Sequence, residues 1–167
     1  ITCGQTTDDE FYCWGSYNEL NTYKFFDDLK EDTRPDKAIS NQPASYAISD
    51  SFICTLADDG THACSGYNVT GAFGHGKTAK DFVAGPVEFK TKPPLTKLYA
   101  SQLHSCGLTD KGKAYCWGNN RSGELGIGKT GGVEPSPVAV KGGHTWRELS
   151  LGQHVTETPL VSDPERK

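Results

Sequence analysis

Residues 98–128 read LYASQLHSCGLTDKGKAYCWGNNRSGELGIG, and the spacing inside this stretch decides the fold. Cys106-Gly-Leu-Thr and Lys113-Ala-Tyr-Cys-Trp flank the tripeptide Asp110-Lys111-Gly112. A three-residue connection ending in glycine suits a type I turn followed by a left-handed residue, the geometry of a tight β-hairpin. That turn pairs Thr109 with Lys113, Leu108 with Ala114, Gly107 with Tyr115 and Cys106 with Cys116. Counted outward, the cysteines fall at a non-hydrogen-bonded pair, where side chains approach most closely and a disulfide forms with little distortion. Gly107 opposite Tyr115 leaves room for the ring to lie across the partner strand, and Gly4 does the same for Tyr12.

The pattern recurs. Cys54 and Cys64 flank Asp58-Asp59-Gly60, and Cys3 and Cys13 flank a turn with Asp9 in place of the glycine. Equivalent cysteines are 51 and then 52 residues apart. Residues 46–76, YAISDSFICTLADDGTHACSGYNVTGAFGHG, form the second unit; ITCGQTTDDEFYCWG at 1–15 opens the first; LSLGQH at 149–154 opens a fourth. The expected units are 1–45, 46–97, 98–148 and the start of another at 149–155, with a C-terminal tail at 156–167. An even, regularly spaced set of six cysteines favours disulfides and an oxidising compartment. Zinc is the competing reading, but Cys-x9-Cys lacks the close pairs of a zinc knuckle. Each closed loop is worth about 2–3 kcal/mol in the chain-entropy treatment. Hairpins at this period cannot bury their faces alone and must stack on neighbours, which points to an all-β propeller.

His104-Ser-Cys-Gly-Leu-Thr-x-x-Gly, followed by Cys116-Trp-Gly-x-Asn120-x-x-Gly123-x-Leu125-Gly-x-Gly128, resembles the repeat of the regulator of chromosome condensation (RCC1) family. The second unit matches through Leu56, Gly60, Gly66, Asn68, Gly71, Gly74 and Gly76, with Phe52 for the histidine and Ser65 for the tryptophan. The first keeps Trp14-Gly15 and Glu19-Leu20 but loses the later glycines, and its Ser16–Ser40 stretch is longer and richer in charge and aromatics. A kelch propeller would show a Gly-Gly pair at a strand end, and WD repeats carry Trp-Asp where this chain has Trp-Gly. The resemblance implies a ring of four-stranded blades, about seven in the usual member. Three units make a partial ring, to be completed by more chain of the same protein or by a second polypeptide. Starting at Ile1 with no methionine, the sequence reads as a processed chain or a fragment.

The resemblance further implies loop surfaces that bind macromolecules, and cysteine-paired versions are typical of extracellular members. The leading expectation is therefore a non-enzymatic, secreted or cell-surface protein-binding scaffold, such as a receptor ectodomain, a matrix component or a secreted inhibitor. A carbohydrate-binding propeller with glycan partners is the alternative, and an intracellular GTPase regulator is a third reading. Net charge is −4 with no Lys/Arg stripe, which argues against nucleic acid. No apolar run is long enough for a membrane span.

Candidate chemistry is sparse. There is no G-x-S-x-G elbow and no unpaired cysteine nucleophile, and Gly126-Ile-Gly-Lys-Thr-Gly lacks the spacer of a phosphate loop. No cofactor and no metal site are expected. His104 and His154 share a repeat position and read as structural. Asn68-Val-Thr and Asn120-Arg-Ser are glycosylation sequons, although an asparagine at this repeat position also suits a backbone-bonding turn. Trp14 and Trp117 read as packing between blades. Tyr17, Tyr23, Phe25 and Phe26, lying outside the repeat pattern, are candidate partner contacts, or else part of a segment covering a blade edge.

Overall fold

The computed structural model describes residues 2–8, 10–15, 32–37 and 43–152. These form eleven strands in three antiparallel sheets, with no helix among them. Sheet 1 contains β1 (Thr2–Gln5), β2 (Phe11–Gly15) and β3 (Asp32–Lys37) in that order. Sheet 2 runs β4 (Ser45–Ile48), β5 (Phe52–Leu56), β6 (Thr61–Gly66) and β7 (Val83–Lys90). Sheet 3 runs β8 (Lys97–Ala100), β9 (His104–Leu108), β10 (Ala114–Asn119) and β11 (Val133–Ala139). Each sheet is a meander, the arrangement that a unit of consecutive short strands and tight turns adopts most directly.

The hairpin register follows the turn. Cys106 faces Cys116, Gly107 faces Tyr115 and Leu108 faces Ala114, while Thr109 N–H donates to Lys113 O at 3.0 Å. Gly112 sits at φ +70°, the left-handed residue such a three-residue connection needs. Disulfides Cys54–Cys64 and Cys106–Cys116 close across Cα separations of 4.2 and 4.0 Å, the short spacing of non-hydrogen-bonded pairs. Cys3 is also disulfide-bonded and lies opposite Cys13 in the ladder. Trp117, directly after the second cysteine, is packed between sheets, as its position in the repeat suggested. The space in front of Gly107 is taken by Leu95. A Cβ there would lie 2.6 Å from Leu95 Cδ1.

The main core lies between sheets 2 and 3. Phe52, Cys54, Leu56, Cys64 and Phe73 from the first meet Leu95, Leu98 and Trp117 from the second. β9 is buried at every position, whereas the outer strand β7 alternates half-buried and exposed residues. Burial therefore falls from the middle strands outward, as expected of blades stacked side by side with their outer strands toward solvent. Leu98 N–H donates to Ser45 Oγ at 3.0 Å, tying the first strands of the two sheets together.

Candidate binding surface

In sheets 2 and 3 the connections emerge on two rims. One rim carries the links between first and second strands together with the long loops between third and fourth strands, residues 67–82 and 120–132. Tyr67 N–H donates to Ser51 O at 2.8 Å and Asn119 N–H to Leu103 O at 3.0 Å, so each long loop is fastened to the short link beside it. Thr70 Oγ1 then donates to Leu103 O at 2.7 Å across the sheet boundary, joining the two loop sets into one continuous rim.

Each long loop is built around a buried asparagine. Asn68 Nδ2 donates to Lys77 O at 2.8 Å while its Oδ1 accepts from Phe73 N–H at 3.0 Å. Asn120 repeats this with Lys129 O at 2.9 Å and Leu125 N–H at 3.3 Å. Both side chains are at most 1% exposed. These contacts are those of the backbone-bonding turn that the asparagine position also suggested. In both, the side-chain nitrogen donates to a backbone carbonyl inside the loop. Around these buried hubs the loops expose apolar side chains, Tyr67 at 41% and Val69 at 59%, with Val133 close to the second loop. Tyr17, Tyr23, Phe25 and Phe26 lie outside the described residues. In the chain they fall between β2 and β3, the connection that corresponds to residues 67–82 in sheet 2.

The opposite rim carries the hairpin turns. Thr61 donates to Asp59 through its hydroxyl and its backbone N–H, both at 2.9 Å, and Lys90 Nζ lies 3.1 Å from the same carboxylate. These contacts hold the Asp59 carboxyl down at about 2. Lys90 Nζ also donates to Asp59 O at 3.0 Å, so the turn is braced to the outer strand.

His62 and His104 are buried among packed side chains. Ser101 Oγ is 2.7 Å from His104 Nδ1, a contact that could pass for a nucleophile and base. Both residues are at least nine-tenths buried, and desolvation pushes the imidazole pKa down against the opposing pull of Glu124. In sheet 2 the same repeat positions hold Ser49 and Phe52, and Ser49 Oγ still donates to Phe52 O at 3.3 Å. The serine braces a turn with or without an imidazole. Glu124 is held below its ordinary range although partial burial opposes this: its own backbone N–H, Ser122 N–H and Asn119 Nδ2 all donate to it. His62, wholly enclosed beside Phe89 and Thr91, is pushed down to about 4 by desolvation. Among the described residues no His, Cys, Asp and Glu cluster could hold a metal ion, and no helix is long and apolar enough to cross a membrane.

Three contacts were not foreseen from sequence. Trp117 Nε1 and Ser105 Oγ both donate to Ala72 O, each at 2.8 Å, and Thr70 bridges to Leu103. The Trp117–Ala72 contact joins different places in consecutive repeats, since Ser65 holds the position of Trp117 and Glu124 that of Ala72, so aligning the units does not reveal it.

Comparison with known proteins agrees with this architecture. The Regulator of chromosome condensation (RCC1) repeat pattern matches at residues 96–124 and again at 111–156. Mouse Protein RCC2 is 29% identical over 75 residues, which is 45% of this chain and 14% of that protein. The ultraviolet-B receptor UVR8 of Arabidopsis thaliana is 26% identical over 144 residues, 83% of this chain and 32% of the relative. The chain thus spans a third or less of either protein. Among solved structures, yeast RCC1 (Prp20) bound to Kap60 superposes with a TM-score of 0.66 at 16% identity, covering 91% of this chain and 38% of that one. With the pattern matched over residues 96–156 and the fold matched across the sheets, this chain carries RCC1-like repeats, and its sheets are arranged as the blades of a partial β-propeller.

Proposed function

We propose that this chain is a non-enzymatic protein-binding scaffold that works outside the cell, and that partners dock on the rim formed by residues 67–82 and 120–132. The observation that carries the reading is the construction of that rim. Buried asparagines fix the loop backbones, Thr70 locks neighbouring loops together, and apolar side chains stand outward on a pre-ordered surface. A rigid platform with exposed aromatic and aliphatic side chains loses little entropy on binding and supplies the contacts that dominate protein interfaces. Yeast RCC1 (Prp20) has been crystallised bound to Kap60, which supports protein as the partner class for this fold. The crosslinked hairpins support an oxidising compartment, because such pairs persist where thiols are not kept reduced.

Two measurements test this. Thiol labelling of protein from its native source should leave every cysteine unmodified until a reductant is added; labelling beforehand refutes the extracellular assignment. In partner-capture experiments on extracellular fractions, Tyr67→Ala with Val69→Asp should abolish retention of the bound protein, while Lys90→Ala on the opposite rim should not. Equal loss from both rims, or from neither, refutes the assignment of the surface.

A further inference from the structure

Sheets 2 and 3, as blades 2 and 3, are built on one repeat, yet the interior of blade 2 contains two ionisable rings. Counted by the cysteines, Phe73 corresponds to Leu125, His75 to Ile127 and His62 to Ala114. All three blade 3 residues are aliphatic and at most 5% exposed. The repeat position of His75 is therefore a core position, filled once by an aliphatic side chain and once by an imidazole.

The imidazole is held by aromatic rings. His75 packs against Phe73 and Phe89, with ring centroids 5.9 and 5.6 Å away, and Phe89 in turn stacks on His62 at 5.0 Å. His75 Nδ1 is buried and, among the described residues, has no hydrogen-bond partner. A neutral ring can leave this nitrogen as an unfilled acceptor. A charged ring puts an N–H there with nothing to receive it, inside an apolar stack. The surrounding charges do not offset this. Burial, and then Lys77 on the same loop, hold His75 below its ordinary range. On β7, Glu88 and Lys90 stand exposed on either side of Phe89 in the chain, and on β11 Glu134 is engaged by Lys129. On β6, His62 is itself pushed down by burial.

His75 also lies in the segment that fastens blade 2 to blade 3. Ala72 O receives Trp117 Nε1 and Ser105 Oγ. Gly74, at φ +87°, lies so close to the indole that a Cβ there would be 2.6 Å from Trp117 Nε1. Gly76, also at φ +87°, donates its N–H to Pro135 O at 2.8 Å. We propose that His75 is an acid-sensitive latch: protonation expels its ring from the contact with Phe73 and Phe89 and unfastens Gly76 from Pro135, while both blades stay folded. The glycines on either side give the segment the backbone freedom to swing out without moving Ala72. Residues 67–82 belong to the rim assigned above to partners, so acid would loosen that surface; this consequence rests on the docking reading, and the latch itself does not.

The direction follows from linkage. A freed imidazole returns to its ordinary value, above that of the packed ring, so the latch is closed at neutral pH and opens increasingly as pH falls below about 6.5. A single imidazole limits the gain in opening to about thirtyfold between pH 7.5 and pH 5. The experiment is amide hydrogen exchange of the full chain at the two pH values, corrected for the intrinsic pH dependence of exchange and repeated at low urea concentrations. Protection of the Gly76 N–H should fall between about fivefold and thirtyfold at pH 5. Its exchange there should be nearly independent of urea, because a local opening exposes little surface. His75→Ile, which installs the residue blade 3 uses, should keep Gly76 equally protected at both pH values, and His62→Ala should leave the fall in place. In the unaltered chain, the imidazole resonances of His75 should titrate over the pH range in which Gly76 opens. Protection of Gly76 that does not change with pH would overturn the proposal, as would exchange that follows urea like global unfolding. A fall that survives His75→Ile, or titration of His75 without opening at Gly76, would overturn it too.

Discussion

Trp117→Phe combined with Ser105→Ala offers the sharpest test of how blades 2 and 3 are joined. Both side chains donate to one acceptor, Ala72 O, at 2.8 Å each. Trp117→Phe removes one donor and part of a buried ring. The space left should cost about 1–2 kcal/mol and the lost hydrogen bond about 1 kcal/mol, because Ser105 still satisfies the carbonyl. Ser105→Ala alone should cost about 1 kcal/mol for the same reason, with the indole still in place. The double variant leaves a buried carbonyl without either donor, and an orphaned buried acceptor carries a desolvation penalty of about 1–3 kcal/mol. The double variant should therefore lose about 1–2 kcal/mol more than the sum of the singles. Urea unfolding followed by far-ultraviolet circular dichroism measures all four corners of the cycle without relying on the altered tryptophan. Additivity within about 0.5 kcal/mol would refute the shared-acceptor reasoning and leave Trp117 as packing alone.

Other consequences follow from single sites. Asn120→Ala orphans Lys129 O and Leu125 N–H inside the loop and should cost about 2–4 kcal/mol in urea unfolding; in the same protein from a glycosylating host, endoglycosidase treatment should leave the mass unchanged. Replacing Cys54 and Cys64 together by Ala should cost about 2–3 kcal/mol by thermal or urea unfolding, whereas a reductant should not affect that variant's second blade beyond its effect on the other pairs. His62 has a folded pKa of about 4, below its ordinary value, so its contribution is present above about pH 6.5 and is lost as pH falls toward 4. At pH 5 the loss should be on the order of 2 kcal/mol, and His62→Gln should flatten that part of the stability profile between pH 7 and 5. His75, across Phe89 and also lowered by burial and then by Lys77, will retain part of the slope.

Much of the blade was legible because hairpin structure is local. The loop Asp110-Lys111-Gly112 fixes the turn, and the turn fixes which residues face each other, so the Cys106–Cys116 pairing needed no knowledge of the rest of the chain. Trp117 could be read as packing because its repeat position lies beside the second cysteine. The asparagines could not be settled in the same way. Asn68 and Asn120 satisfy both a glycosylation pattern and a turn pattern, and only the tertiary structure shows their amides bonded to Lys77 O and Lys129 O. Gly107 shows the same limit: its role depended on Leu95, which reaches it from the preceding connection.

The amino-acid sequence by itself determined the repeat, the hairpin register and the cysteine pairing, since each depends on interactions within about ten residues. Only the tertiary structure decided where Trp117 donates its hydrogen bond, that Thr70 joins neighbouring loops into one rim, and that Gly76 is tied to Pro135 of the next blade. Those features arise where one repeat meets the next. There the choice of atoms depends on the distance and rotation between blades, which no local pattern encodes.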